Sequence, residues 1–101
     1  MKIYIAGKVT GEPRKACEAK FKKAEEELKK SFDYEQIINP MRVVSDPETA
    51  WKTAMIKCFS VLLYCDAIYL LNDWKDSKGA RIEFETAKEL GLKIFFEGKT
   101  K

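Results

Sequence analysis

The sequence contains no histidine. That absence removes the Ser-His and Cys-His pairs through which many hydroxyl and thiol nucleophiles are activated. It also denies a zinc site its usual nitrogen ligand. Cysteine is scarce: Cys17, Cys58 and Cys65 form no CxxC pair, and three cysteines make a poor disulfide framework. No metal and no cofactor are expected, and acid–base chemistry falls to Asp, Glu, Tyr, Lys or Cys. Long apolar runs are missing too. The longest, Phe59 to Cys65, cannot span a bilayer, and the opening MKIYIAG turns polar too soon for a signal peptide. The expectation is a cytoplasmic protein with no membrane partner. Nor does one sign of charge dominate. The 19 basic and 16 acidic residues are largely interleaved, which argues against a polymeric nucleic-acid partner. The lysine-rich stretch Lys20–Lys30 carries Glu25, Glu26 and Glu27 at helical spacing and reads as a solvated helix face.

What is present suits one globular domain: 101 residues, 46% hydrophobic and 35% charged. Strands are expected at Lys2–Ala6, Tyr34–Asn39, Asp66–Leu71 and Leu92–Phe96. A helix should start at Pro13 and run to about Ser31, with Cys17, Phe21, Ala24 and Leu28 as its apolar stripe. Met41 to Asp46 reads as a loop. Asp46-Pro47 then looks like an N-cap followed by a first-turn proline, opening a helix to about Tyr64 with Trp51, Met55, Phe59 and Leu62 inward. Ser77 can cap a third helix ending at Leu90, with Gly91 as its stop. Strict β-α alternation implies an α/β fold, a flavodoxin-like three-layer sandwich around a four-stranded parallel sheet of order 2-1-3-4. The domain should cover residues 1–97, with 98–101 a polar tail. Ligands of such sheets bind beyond the carboxyl ends of the strands, here near the loops 7–13, 39–46 and 72–77.

Glu83 is the most informative residue. It shares a stripe with Ala87 and Leu90, so it should point at the sheet or into the cleft, where a carboxylate is costly without a partner. Spacing alone leaves it either a functional group or a satisfied structural carboxylate. Gly79 in a first helical turn fits close ligand approach or tight packing against a strand. Ser77 reads as a plain N-cap or as a ligand contact. The GKVTG loop, Gly7 to Gly11, is neither a Walker A sequence nor a GxGxxG fingerprint. Tyr4 could be core, and Asp66 a local cap.

Taken together, KIYIAGKVTG (2–11), NP (39–40), Trp51 with Met55, CDAIYLL (65–71) and W-x-x-S-x-G-A-x-x-E-x-x-x-A (74–87) give the chain a wider likeness. It resembles the nucleoside 2-deoxyribosyltransferase-like superfamily, and within it the short bacterial and phage branch of the DUF4406 type. The resemblance implies a nucleoside or nucleotide substrate, with partners limited to that small molecule and further copies of the chain in a homo-oligomer. It makes Glu83 the nucleophile, Tyr4 the residue orienting it, and Asp66 and Asp73 the acids that hold or protonate the base. Substrate contacts would come from Gly7, Lys8, Gly11, Asn39, Trp51, Trp74, Ser77 and Gly79. Two other readings stay open. One is a nucleotide-binding or sensor module without turnover. The other is a receiver-like signalling domain, which GKVTG disfavours because it carries no acid after the first strand.

Overall fold

Period-two alternation along β1 (Lys2–Ala6) divides the molecule into its layers. Ile3 and Ile5 turn to one face of the sheet, Tyr4 and Ala6 to the other. In the computed structural model, which describes residues 1–98, β1 pairs in parallel with β2 (Gln36–Ile38) and with β3 (Ala67–Leu70). β3 in turn pairs in parallel with β4 (Lys93–Phe96), giving the order β2-β1-β3-β4. This is the flavodoxin-like α/β arrangement expected from the alternation of strands and helices. The two central strands are buried on both faces, which is why they read as nearly continuous apolar runs. Among the described residues no helix is long and apolar enough to cross a membrane. The last three residues of the expected tail lie outside the described residues.

Helix α1 (Arg14–Ser31) lays Cys17, Phe21, Ala24 and Leu28 on the face carrying Ile3 and Ile5. Two further helices cover the opposite face: α3 (Trp51–Leu62) through Cys58 and Leu62, and α4 (Lys78–Leu90) through Ala80 and Ala87. The Ser77 hydroxyl accepts from the Ala80 N–H at 3.1 Å, and Gly91 ends α4 at φ 75°. Leu90 was expected on the inward stripe. It is about half exposed instead, because the helix ends there and leaves the sheet.

The region between β2 and α3 departs from the sequence reading. Asn39-Pro40 and Asp46-Pro47 carry the same cap-plus-proline signal, and the first one makes the helix. Asn39 Oδ1 accepts from the Met41 N–H at 2.9 Å and caps the short α2 (Pro40–Val43), where a loop was expected. Asp46 instead closes a turn. Its side chain accepts from Glu48 N at 2.9 Å, and its carbonyl accepts from Thr49 N at 3.1 Å. Ala50 is extended, so α3 starts only at Trp51. Lys20 and Glu25 also depart from the solvated face assigned to their stretch: Glu25 is buried and Lys20 partly so.

Gly7 follows β1 directly, and its place is fixed by packing. A Cβ there would stand 2.7 Å from Leu71 Cδ1 and 3.1 Å from Leu71 Cβ, and Leu71 is fully buried. At Gly79 the tightest contact of a Cβ would be the Met55 sulfur, at 3.0 Å, near the end of a flexible side chain. Gly7→Ala should therefore destabilise the protein by about 1–3 kcal/mol. Gly79→Ala should fall within about 1 kcal/mol of the parent, since gained helix propensity offsets the shift of Met55. Urea denaturation of both variants checks this, and equal losses would contradict it.

Candidate functional site

Past the carboxyl ends of β1 and β3, where the strand order reverses, lies a cavity of about 390 Å³. Its floor is polar, with Tyr4 from β1, Ser77 at the cap of α4 and Glu83 within that helix. Its walls are mostly apolar, with Val9, Pro40, Met41, Val44, Trp51 and Met55. A second cavity of about 360 Å³ shares Thr10, Trp51, Ser77 and Gly79 with the first and adds Lys8, Asp76 and Lys78. An apolar pocket with a few convergent polar groups is the usual form of a small-molecule site.

Glu83 sits one turn beyond the buried Gly79-Ala80 pair, on the side of α4 that faces the sheet. Tyr4 occupies the sheet face that α4 covers, and its hydroxyl donates to Glu83 Oε2 at 2.7 Å, across 79 residues of chain. Cys58 of α3 belongs to the same buried cluster as Tyr4 and also lines the cavity. Glu83 is only 6% exposed, and burial pushes its pKa up to about 7 against the opposing pull of the Tyr4 hydrogen bond. Burial, then the nearby Glu83 carboxylate, raise the Tyr4 hydroxyl well above its ordinary value. Burial likewise pushes the Cys58 thiol up. The result is a carboxyl poised near neutrality, with one oxygen held by a phenol that stays protonated.

The structure brings Tyr4, Gly7, Gly11, Trp51, Ser77, Gly79 and Glu83 together around this cavity. Five other expected site residues stand elsewhere. Asp66 precedes β3 at the amino end of the sheet and accepts from the Lys2 N–H at 2.8 Å, away from the cavity. Asp73 faces the first loop instead: its Oδ1 accepts from the Lys8 N–H at 3.0 Å and its Oδ2 pairs with Lys20 Nζ at 2.6 Å. Lys8 lines only the second cavity, and its carbonyl accepts from Lys20 Nζ at 2.7 Å. Asn39 is used up as the cap of α2 and as a donor to Glu25 Oε1 at 3.2 Å. Trp74 packs on Phe84, with ring centroids 4.6 Å apart, and on Phe96, beside β4.

Asn39, together with Glu25, Arg42 and Arg14, holds the wall that α2 and the segment after it form. Buried Glu25 accepts from Asn39 and, at 2.7 Å, from Arg42. Burial opposes its ionisation, but these two hydrogen bonds outweigh that and lower its pKa. Arg14 donates to the carbonyls of Val44 and Ser45 at 3.2 and 3.1 Å, fixing the segment after α2. Sequence reasoning missed Cys58, Met41 and Val44 as cavity residues. Cys58 was within reach, since it lies three residues after Met55 and four before Leu62 on the inward side of α3. Met41 and Val44 were hidden by reading α2 as a loop.

Residues 1–96 match the family DUF4406, described as a domain of unknown function, and the chain belongs to that family. No curated protein and no solved structure matches it.

The raised Glu83 pKa has a consequence for stability. The folded protein holds this proton more tightly than the unfolded chain, where the ordinary value of 4.5 applies. Stability therefore falls as pH rises from about 4.5 to about 7, and the penalty is complete above that window. At about 1.4 kcal/mol per pH unit the penalty is on the order of 3 kcal/mol. Glu83→Gln carries no such charge. Its stability relative to the parent should rise by that order between pH 4.5 and pH 8, measured by chemical denaturation. A pH-independent difference would show that Glu83 is not held near neutrality.

Proposed function

We propose that this protein cleaves or exchanges the N-glycosidic bond of deoxynucleosides or their monophosphates, with Glu83 as the nucleophile. The observation that carries the reading is the Tyr4–Glu83 pair, a buried carboxylate fixed by a phenol at the floor of a mainly apolar cavity. The resemblance to the nucleoside 2-deoxyribosyltransferase-like superfamily supports it, because the proposed nucleophile and its orienting tyrosine are the two residues that meet here.

In this mechanism ionised Glu83 attacks the anomeric carbon through Oε1, the oxygen not taken by Tyr4. The C–N bond breaks, its electron pair leaves with the base, and a glycosyl ester remains on Glu83. Water or a second base then attacks the same carbon and frees the carboxylate, so the sugar configuration is retained overall. The Tyr4 hydrogen bond keeps the carboxylate in one orientation through both steps. The leaving base needs a proton. With Asp66 and Asp73 placed elsewhere, and Glu12 paired with Lys20 at 3.2 Å, the remaining carboxyl on the cavity wall is Asp46. The apolar walls formed by Met41, Val44, Trp51 and Met55 suit a flat base. The reading includes a cytoplasmic setting and a homo-oligomer, with no metal or cofactor required by the chemistry.

A second reading, nucleotide binding without turnover, draws support from the displacement of Asp66 and Asp73, which leaves fewer acids at the cavity than the resemblance implies. A panel of deoxynucleosides and their 5′-monophosphates, assayed for base release and base exchange, separates the two. Turnover is expected, rising with pH through about 7 as Glu83 ionises. Glu83→Gln should lower it by on the order of a thousandfold or more. Binding without product from any member of the panel would favour the second reading and end the first.

A further inference from the structure

The first loop, residues 7–13, forms a wall of both cavities: Gly7, Val9 and Thr10 line the first, Lys8 and Thr10 the second. Ser77 and Gly79, at the start of α4, line both as well. Within the loop the backbone makes a turn bond, from the Glu12 N–H to the Val9 carbonyl at 3.1 Å. Its further anchors are side chains. Lys20 of α1 donates to the Lys8 carbonyl at 2.7 Å, to Asp73 Oδ2 at 2.6 Å and to Glu12 Oε1 at 3.2 Å. An ammonium has three N–H donors, so all of them are engaged. Asp73 accepts from the Lys8 N–H through its other oxygen, Oδ1, at 3.0 Å. Lys8 is thus gripped at both its amide and its carbonyl. We propose that Lys20 and Asp73 are positioning residues of the candidate site: their clamp on the Lys8 main chain fixes the first loop against the start of α4 and so sets the opening between those two walls.

The physical reason is the cost of ordering a loop. A segment bounded by Gly7 and Gly11 loses much backbone freedom when it is fixed, so the contacts that hold it decide where it lies. Asp73 stands directly before the 3-10 turn Trp74–Asp76, which leads into the Ser77 cap. One carboxylate therefore joins the loop to the segment that sets where α4 begins. An exposed ion pair would contribute little. Here the Lys20 and Asp73 side chains are only 24% and 28% exposed, the bonds are charge-assisted, and one cation serves three acceptors. Burial works against the ammonium, but its hydrogen bonds to Asp73 and Glu12 outweigh that and raise its pKa. The Cys17 thiol adds a longer contact to the same Lys8 carbonyl, at 3.6 Å.

Lys20 and Asp73 line neither cavity, and the floor where Tyr4 meets Glu83 lies apart from them. Their influence reaches a ligand through the loop. It falls on how well the site receives that ligand and leaves the Tyr4–Glu83 pair as it is. Only this functional meaning rests on the proposed deoxynucleoside chemistry. The clamp itself is tested on the protein without substrate, so its failure and the failure of the catalytic reading are distinguishable.

The first measurement is nitrogen NMR of the Lys20 ammonium together with amide hydrogen exchange across the first loop. The parent should show a slowly exchanging Lys20 ammonium signal, and Asp73→Asn should abolish it. Lys20→Met, which keeps the length of the stem, should speed exchange at the Lys8 amide by about tenfold or more. Lys23→Met, which removes an exposed lysine of the same helix, should leave it unchanged. Lys20→Gln serves as the second variant if Lys20→Met folds poorly. No such ammonium signal in the parent, or unchanged Lys8 exchange in the Lys20 variants, would overturn the proposal. The second measurement uses whichever deoxynucleoside or 5′-monophosphate the parent turns over. Lys20→Met and Asp73→Asn should each raise KM by about tenfold and keep kcat within about threefold of the parent. The double variant should lose little more than the larger single loss, because the two side chains act as one clamp. A fall in kcat at unchanged KM for Asp73→Asn would make Asp73 an acid of the reaction and overturn its positioning role. A parent without turnover ends the catalytic reading, and the exchange measurement still decides the clamp.

Discussion

Burying a carboxylate under α4 is the constraint around which this molecule is arranged. Glu83 is buried, and among the described residues no cation pairs with it. The hydroxyl of Tyr4 meets it at 2.7 Å. Everything that fixes that distance matters. The parallel register sets Tyr4 opposite Ile38 and Ile68, at the middle of the sheet. The Ser77 cap fixes where α4 begins, and so which of its residues face the strand. A carboxyl held this way stays close to the balance between its charged and neutral forms, which is where a group that must gain and lose charge is most responsive.

The remaining polar side chains divide by task. Asp73 and Lys20 tie the loop after β1 to the turn before α4. Asn39, Glu25, Arg42 and Arg14 hold α2 and the segment after it against α1. Neither group touches the floor of the cavity. Both shape its walls, because backbone at a cavity rim has few apolar contacts of its own and depends on side-chain hydrogen bonds for its position. Asp73 and Asn39, two residues a functional reading of the sequence singles out, are both engaged in these wall-forming contacts.

Much of this architecture was legible in the sequence. The stripe Cys17, Phe21, Ala24, Leu28 gave α1, and the apolar run before Asn72 marked a strand buried on both faces. The phase of Glu83 with Ala87 placed the carboxylate inward. Two identical local signals, Asn39-Pro40 and Asp46-Pro47, could not be ranked, because local cap chemistry is the same in both. Tertiary anchoring of Asn39 by Glu25 accompanies the helix at the first, and the second closes as a turn. The place of Trp74 was illegible for a similar reason: Phe84 and Phe96 offer it an aromatic seat that appears only once α4 and β4 are side by side.

By itself the sequence determined the order of the four strands and the three long helices, the parallel α/β class and the inward side of Glu83, because hydrophobic period and cap residues are properties of neighbours along the chain. Only the tertiary structure decided what Glu83 meets. A hydrogen bond across 79 residues depends on strand order, register and helix phase together, and no local pattern contains all three. The same holds for Cys58, an ordinary position on an apolar stripe until α3 is laid beside β1. It holds equally for Asp66, whose hydrogen bond from the Lys2 N–H forms only once β1 and β3 lie side by side.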